Sequence, residues 1–122
     1  MIDYNPIEDL HNRLDEAEIP HVFVCEIWPG FGIFGDRKPK DQFVRNQVCY
    51  PVDSKDDVNH ECLFDAVWQY GSYGDDYELE TWHELGADET GEPRTMTVEE
   101  AFNTIANDYK LSEANKEEKK DE

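Results

Sequence analysis

The chain has 122 residues and carries 30 Asp and Glu side chains against 11 Lys and Arg, a formal net charge of −19. This length suits one domain, and no apolar run approaches the roughly 20 residues that a membrane span requires, which excludes a transmembrane protein. The excess of carboxylates also disfavours direct binding to nucleic acid, because no counterion release would offset the repulsion between like charges.

The start of the chain and its cysteine content bear on the compartment. The first residues lack the cationic and then apolar stretch of a secretory signal. Three cysteines are an odd number for a disulfide framework, so reduced thiols are expected. We therefore expect a cytoplasmic protein, and we expect it to be a monomer.

The first predicted elements are a helix and a hairpin. Residues 5–17 have the pattern of a helix, because Asn5 can cap it, a proline occupies its first position, and apolar residues recur with helical spacing. Residues 21–28 are rich in β-branched and aromatic side chains, which is typical of a strand. A Pro-Gly turn signal then predicts a hairpin that leads into residues 32–35.

The middle of the chain is predicted to be extended. Residues 43–52 and 58–70 are strand-like and flank a polar turn at residues 53–57. Residues 71–74 contain two glycines and break the pattern. Residues 77–85 are predicted to be short and helical at best.

A helix is predicted to close the fold. Thr97 and Glu100 have the spacing of a capping box, and an apolar stripe continues from there to Tyr109. The Lys- and Glu-rich residues 112–122 are expected to form a disordered tail. The order of elements predicts one α+β domain over residues 1–111, with two helices on one face of a small antiparallel sheet of about four strands.

Two motifs that could indicate catalysis fail on their context. Residues 30–35 match G-x-G-x-x-G, but no helix follows to meet a pyrophosphate, so a hairpin is the better interpretation. No serine lies in a G-x-S-x-G motif, and Cys25 and His21 would be about 13 Å apart along a strand. We therefore expect no enzymatic activity.

The cysteines and histidines suggest a metal site. If the polar turn is a symmetric hairpin, Cys49 faces Cys62, and His60 stands on the same face of the sheet. Two thiolates and one imidazole could then share a structural zinc ion, with a fourth ligand from Cys25, His83 or a nearby carboxylate. Three other interpretations compete with zinc: buried free thiols, a cross-strand disulfide, and an exposed His60.

Three short stretches carry a resemblance to a known group of proteins. At residues 19–21, 71–74 and 97–105, the chain resembles small acidic proteins encoded by phages and prophages. Among phage proteins of this size and charge, it is similar to the type II anti-CRISPR inhibitors of Cas9. That resemblance implies an acidic protein that occupies a Cas9 surface otherwise used by nucleic acid. The class has no common motif, so the resemblance assigns no residue.

The charge pattern supplies candidate residues for such a mechanism. Residues 73–93 contain eight acids and no Lys or Arg, and Cas9 holds its heteroduplex in a positively charged channel. We therefore expect an acidic surface that mimics nucleic acid and blocks access of guide RNA or target DNA. The predicted phosphate mimics are Asp75, Asp76, Glu78, Glu80, Glu84, Asp88 and Glu89, and the predicted apolar anchors are Tyr73, Tyr77 and Trp82.

Two other functions are compatible with the sequence. In one, the chain is a small zinc-stabilised accessory domain, and the charge only keeps it soluble. In the other, the acidity is an adaptation to a salty cytoplasm.

Overall fold

The computed structural model describes four stretches of the chain, residues 5–29, 39–51, 62–72 and 78–120. The strands in these stretches are β1 (Val22–Ile27), β2 (Phe43–Tyr50), β3 (Phe64–Val67), β4 (Leu79–Trp82) and β5 (Arg94–Met96). The helices are α1 (Pro6–Glu16), the single turn α2 (His83–Gly86) and α3 (Val98–Lys120), and a 3₁₀ turn over Pro39–Gln42 precedes β2.

The five strands form one antiparallel sheet in which each strand pairs with its neighbour in the sequence, in the order β1-β2-β3-β4-β5. Together with the N-terminal and C-terminal helices, this sheet confirms the predicted α+β class. The sheet has one strand more than the four or so that the sequence predicted.

Both long helices supply side chains to a single core on one face of the sheet. The predicted cap of α1 is confirmed, because Asn5 Oδ1 accepts hydrogen bonds from the backbone N–H groups of Ile7 and Glu8 at 3.0 and 3.3 Å. The apolar spacing of each helix turns one stripe inward. The fully buried members of the core include Ile7, Leu10 and Leu14 of α1, Ala101 and Ile105 of α3, and Val48, Phe64, Ala66 and Leu79 of the sheet.

The sequence prediction missed β4 and β5. Residues 77–85 were expected to be helical at best, yet Leu79 and Thr81 alternate inward as part of β4 and are fully buried. Only one helical turn, α2, follows. β5 has three residues, which is too few for a period of two to stand out. The predicted strand over residues 32–35 lies outside the described residues.

The end of α3 also differs from expectation. The helix continues to Lys120, whereas the sequence analysis placed a disordered tail from residue 112. Residues 112–120 contain no proline or glycine and are mostly Glu, Lys and Ala, which have high helix propensity. A helix that already has a capped, packed first half can therefore propagate through them.

Among the described helices, none combines the length and the apolar character that crossing a bilayer requires.

Candidate metal-binding site

The chain reverses direction sharply where α1 ends. Glu18 adopts a left-handed conformation with φ of 58°. Its N–H donates to the Asp15 carbonyl at 3.1 Å, and the Ile19 N–H donates to the Leu14 carbonyl at 3.0 Å. These two bonds define a Schellman motif, with a glutamate where glycine is usual. The turn brings His21, which follows it, back against the last two turns of α1.

Three side chains meet at this turn. His11 and Asp15 lie one turn apart on α1, and their atoms Nε2 and Oδ2 are 3.3 Å apart. His21 Nε2 lies 2.8 Å from His11 Nδ1 and 3.5 Å from Asp15 Oδ1. The second nitrogen of His21, Nδ1, lies 2.7 Å from the Ile19 carbonyl oxygen. The cluster therefore joins α1 to the residue that precedes β1.

The two imidazoles are held in partly buried positions. The ring of His11 stacks on Phe23 of β1, with 4.3 Å between ring centroids and an interplanar angle of 15°. Burial lowers the pKa of His11, and its neighbour His21 lowers it further, while Asp15 acts in the opposite direction. The side chain of His21 is only 5% exposed, whereas that of Asp15 is 58% exposed. The cluster is closed by protein on one side and open to solvent at its carboxylate.

The spacing of these groups permits a metal ion. One ligand atom from each of His11, Asp15 and His21 can be chosen so that all three lie within 4.8 Å of one another. Within the described stretches, no other group of three or more His, Cys, Asp or Glu side chains meets this distance. The sequence analysis missed this cluster. The signal was a His and an Asp four residues apart on the predicted helix, followed by a second His just after the helix ends.

The structure arranges the predicted cysteine site differently. Cys49 lies directly opposite Asp65 on β3, so the pairing with Cys62 that a symmetric hairpin requires is wrong. An irregularity before β3 nevertheless brings Cys62 to Cys49, and both pack against Val22 and Val24 on the sheet face away from the helices. Their hydrogen bond raises the pKa of the Cys49 thiol and lowers the pKa of the Cys62 thiol.

Cys25, another predicted zinc ligand, is not brought to this pair. Cys25 pairs with Asn46, and because side chains alternate along a strand, it points to the opposite face from Cys49. Its thiol is exposed. His60 lies outside the described residues. None of the three cysteines forms a disulfide, and Cys49 alone among them is buried.

Asp65 links the cysteine pair to a polar network on the same face. Gln47 Nε2 donates to Asp65 Oδ1 at 2.6 Å, and Arg45 Nε donates to Gln47 Oε1 at 2.8 Å. His83, the remaining candidate for a fourth ligand, places Nε2 3.8 Å from Asp65 Oδ2. Burial raises the pKa of the Asp65 carboxyl despite these partners. Asp65 thus shares its oxygens between a glutamine, a thiol and an imidazole.

The predicted phosphate mimics divide into different environments. Glu84 and Glu89 are exposed, as predicted, and Glu78 is half-buried. Glu80 is only 8% exposed, because it lies on a strand in the middle of the sheet, so its place on the predicted surface is wrong. The exposed Asp88 is engaged in its own turn, where one oxygen accepts hydrogen bonds from the Thr90 N–H, the Thr90 hydroxyl and the Glu92 N–H. These bonds lower the pKa of Asp88.

Among the predicted apolar anchors, Trp82 is 37% exposed at the end of β4. Asp75, Asp76, Tyr73 and Tyr77 lie outside the described residues.

Exposed carboxylates are not confined to the predicted segment. Within the described stretches, the exposed Asp and Glu residues are Glu8, Asp15, Glu16, Glu18, Glu26, Glu84, Asp88, Glu89, Glu92, Glu99, Glu100 and Glu113, and the exposed Lys and Arg residues are Arg13, Arg94 and Lys110. The exposed acids are therefore distributed over α1 and the turn after it, β1, residues 84–92 and α3.

Comparison with known proteins adds no relative: no family model, no curated protein and no solved structure matches this chain.

Proposed function

We propose that this protein binds a basic, nucleic-acid-binding surface of another protein, and that the partner is Cas9. The observation that carries the proposal is the excess of exposed carboxylates over exposed Lys and Arg among the described residues, in a chain of net charge −19. Such a surface attracts a positively charged channel over a distance of about 10 Å at moderate ionic strength. The resemblance to type II anti-CRISPR inhibitors supports this choice of partner.

The proposed mechanism is occupancy rather than catalysis. Carboxylates on the inhibitor would pair with the Lys and Arg side chains that hold the guide–target heteroduplex, so that guide RNA or target DNA could no longer enter. Glu84 and Glu89, both exposed, are the described residues best placed for this role. Trp82, the last residue of β4 and directly before α2, would add an apolar contact at the centre of the acidic segment. Such an inhibitor acts in the host cytoplasm.

A salt-dependent inhibition assay with charge-reversed variants tests this proposal. Purified Cas9 with guide RNA is mixed with the protein, and cleavage of target DNA is measured at low and high salt. We expect the triple variant Glu84→Lys, Glu89→Lys, Glu92→Lys to lose inhibition by at least about tenfold, because each reversal replaces an attraction by a repulsion.

A matched control places the same change of charge on another surface. The variant Glu8→Lys, Glu16→Lys, Glu18→Lys alters exposed residues in and after α1 by an equal total charge. We expect it to inhibit more strongly than the first variant, with circular dichroism unchanged in both. Undiminished inhibition by the Glu84, Glu89, Glu92 variant would overturn the proposed surface.

A second candidate function is a small domain that a zinc ion stabilises. The specific observation in its favour is the group of metal-ligand side chains that the structure brings within 4.8 Å. A domain of this size has a modest core, to which one structural metal adds stability. Elemental analysis of the purified full chain, after dialysis against a buffer with trace zinc, tests it directly. Less than about one zinc ion per ten chains would exclude this function.

A further inference from the structure

We infer that zinc is held by His11, Asp15 and His21, at the junction between α1 and β1, and not by the cysteines. This inference rests on the zinc-binding function proposed above and assigns the site. The class of ligand is a borderline divalent transition metal, with Zn²⁺ as the physiological ion and Co²⁺ or Ni²⁺ as substitutes.

The separations between the ligand atoms are close to those that a zinc ion imposes. Two atoms each about 2.0–2.1 Å from zinc lie about 3.3 Å apart at a tetrahedral angle. His21 Nε2 and Asp15 Oδ1 are 3.5 Å apart, which already fits. His21 Nε2 and His11 Nδ1 are 2.8 Å apart, so binding requires the two rings to separate by about half an ångström. Rotation of the two side chains about their own bonds supplies such a movement.

Hydrogen-bonding capacity favours a cation at this point. The Ile19 carbonyl can only accept, so His21 Nδ1 carries a hydrogen and its Nε2 presents a lone pair to His11. His11 Nδ1 must then donate, which leaves a lone pair on the other nitrogen of a neutral His11 ring. That nitrogen, Nε2, faces Asp15 Oδ2 at 3.3 Å, so two acceptors confront each other. A cation bound at His11 Nδ1 leaves Nε2 to carry the ring hydrogen, which Nε2 can donate to Asp15 Oδ2, and so removes this conflict.

The surroundings of His21 resemble the supporting shell of a metal ligand. A ligating histidine in most metal sites donates its other N–H to a carbonyl or carboxylate, which sets the ring orientation. His21 donates to the Ile19 carbonyl at 2.7 Å, and its side chain is 5% exposed, so it has little freedom to turn away. Stacking on Phe23 restricts His11 in a comparable way. Two of the three ligands are therefore held within about half an ångström of their ligating positions before any metal arrives.

The cysteine pair is a weaker site on the same criteria. Cys49 and Cys62 adjoin each other, but among the residues described no third donor comes within 4.8 Å of both. Zinc binds the thiolate and not the thiol, and Cys49 is 1% exposed in an environment that already contains the carboxyl of Asp65. Deprotonating Cys49 there would place a second negative charge next to the first.

The donor set also selects among ions. Two imidazole nitrogens and one carboxylate suit zinc and its neighbours in the transition series, whereas Ca²⁺ and Mg²⁺ prefer shells of oxygen. Three protein ligands leave a coordination position for water on the solvent side, next to the exposed Asp15. Binding would tie α1 to the start of β1 and stabilise the folded state by an amount that rises with the logarithm of the zinc concentration above Kd.

A metal titration of site and control variants tests the inference. The full chain is stripped with a chelator and titrated with Zn²⁺, with Mg²⁺ in parallel, while heat of binding and Tm are recorded. We expect one Zn²⁺ per chain, a rise in Tm with Zn²⁺ and none with Mg²⁺. His11→Gln and Asp15→Ala should each weaken Zn²⁺ binding by about tenfold or more. Because Asp15 is exposed, Asp15→Ala keeps the test valid where a histidine variant fails to fold.

Two controls separate the site from the function. Glu16→Ala removes an equal charge from the adjacent exposed position of α1 and should bind Zn²⁺ as the unmodified chain does. The double variant Cys49→Ala, Cys62→Ala should also retain Zn²⁺, and Co²⁺ bound to the unmodified chain should show no sulfur-to-metal charge-transfer absorption. Zinc lost in the cysteine variant but kept in Asp15→Ala would overturn the assigned site and leave zinc binding intact. If the unmodified chain binds no zinc either, both the assigned site and the zinc-binding function are overturned.

Discussion

Asn5 and Asn46 exchange hydrogen bonds between the start of α1 and the middle of β2. Asn46 Nδ2 donates to Asn5 Oδ1 at 2.9 Å, and Asn5 Nδ2 donates to Asn46 Oδ1 at 3.3 Å. The same Asn5 oxygen caps α1, and the fully buried Asn46 also donates to the Trp68 carbonyl at 2.9 Å. One pair of amides thus fixes where the helix begins, relative to the sheet that carries the core.

Replacing Asn46 with alanine is expected to destabilise the protein by about 2–3 kcal/mol. The change leaves the buried Trp68 carbonyl and the half-buried Asn5 Nδ2 group without these partners, and an unsatisfied buried group costs more than a hydrogen bond contributes. Chemical denaturation measures the effect. Asn103→Ala, at an exposed position of α3, is the control and should change stability by less than about 0.5 kcal/mol. Equal effects at the two positions would contradict the role of Asn46.

Glycine at position 18 is expected to stabilise the fold. Glu18 has a φ of 58° at the end of α1, a conformation that costs an L-residue roughly 1 kcal/mol and that glycine adopts freely. Glu18→Gly should therefore raise the free energy of unfolding by up to about 1 kcal/mol. Two residues earlier, Glu16 is the last residue of the helix itself, and Glu16→Gly should lower it by several tenths of a kcal/mol. Thermal or urea denaturation measures the change in stability of each variant. A loss of stability in Glu18→Gly would contradict the claim that the backbone at Glu18 is strained.

Elements with strong local signals were predictable, and those without them were not. The cap at Asn5 and the capping box at Thr97 and Glu100 appear where the sequence placed them, because their bonds join residues two or three apart. β4 depends instead on long-range pairing, and its Glu80 is buried among neighbouring strands. No local pattern predicts that a glutamate will occupy such a place.

The candidate sites were harder to predict because each depends on one backbone irregularity. A symmetric turn would pair Cys49 with Cys62, but the observed register pairs it with Asp65, since Phe64 must point into the core opposite Tyr50. The histidine cluster depends on a left-handed turn at Glu18, where the usual sequence signal is glycine. Sequence rules that act over three or four residues do not reach either feature.

The capping box at the start of α3 is expected to weaken in acid. Glu100 Oε1 accepts a hydrogen bond from the Thr97 N–H at 3.0 Å. Hydrogen bonds with the backbone and the side chain of Thr97 lower the pKa of Glu100 below its usual 4.5. A group with a lowered pKa in the folded state binds fewer protons there than when unfolded, so its contribution is present above pH 4.5 and is lost as pH falls through the lower folded value. Glu100→Gln should therefore have a lower free energy of unfolding than the unmodified chain at pH 7, and the difference should shrink at low pH.

Glu99→Gln is the matched control for that measurement. Glu99 lies in the same first turn of α3, is also exposed, and is near the same end of the helix dipole, but the capping bonds to Thr97 belong to Glu100. Denaturation of the unmodified chain and the two variants between pH 3 and pH 7 separates the contribution of the capping box from that of a charge near the helix end. If the stability of Glu100→Gln and Glu99→Gln changes with pH in the same way, the lowered pKa of Glu100 makes no separate contribution.

Thiol labelling should distinguish Cys25 from Cys49 in the native protein. Cys25 is exposed on β1, whereas Cys49 is buried, and its hydrogen bond to Cys62 raises the pKa of its thiol. Because the thiolate is the species that reacts, Cys49 should be alkylated far more slowly than Cys25, through transient opening of the sheet. A short pulse of iodoacetamide followed by peptide mass spectrometry measures each site, and unfolded protein, in which all three react, sets the reference. Fast labelling of Cys49 in the native state would contradict its burial and, with it, the argument against zinc at the cysteines.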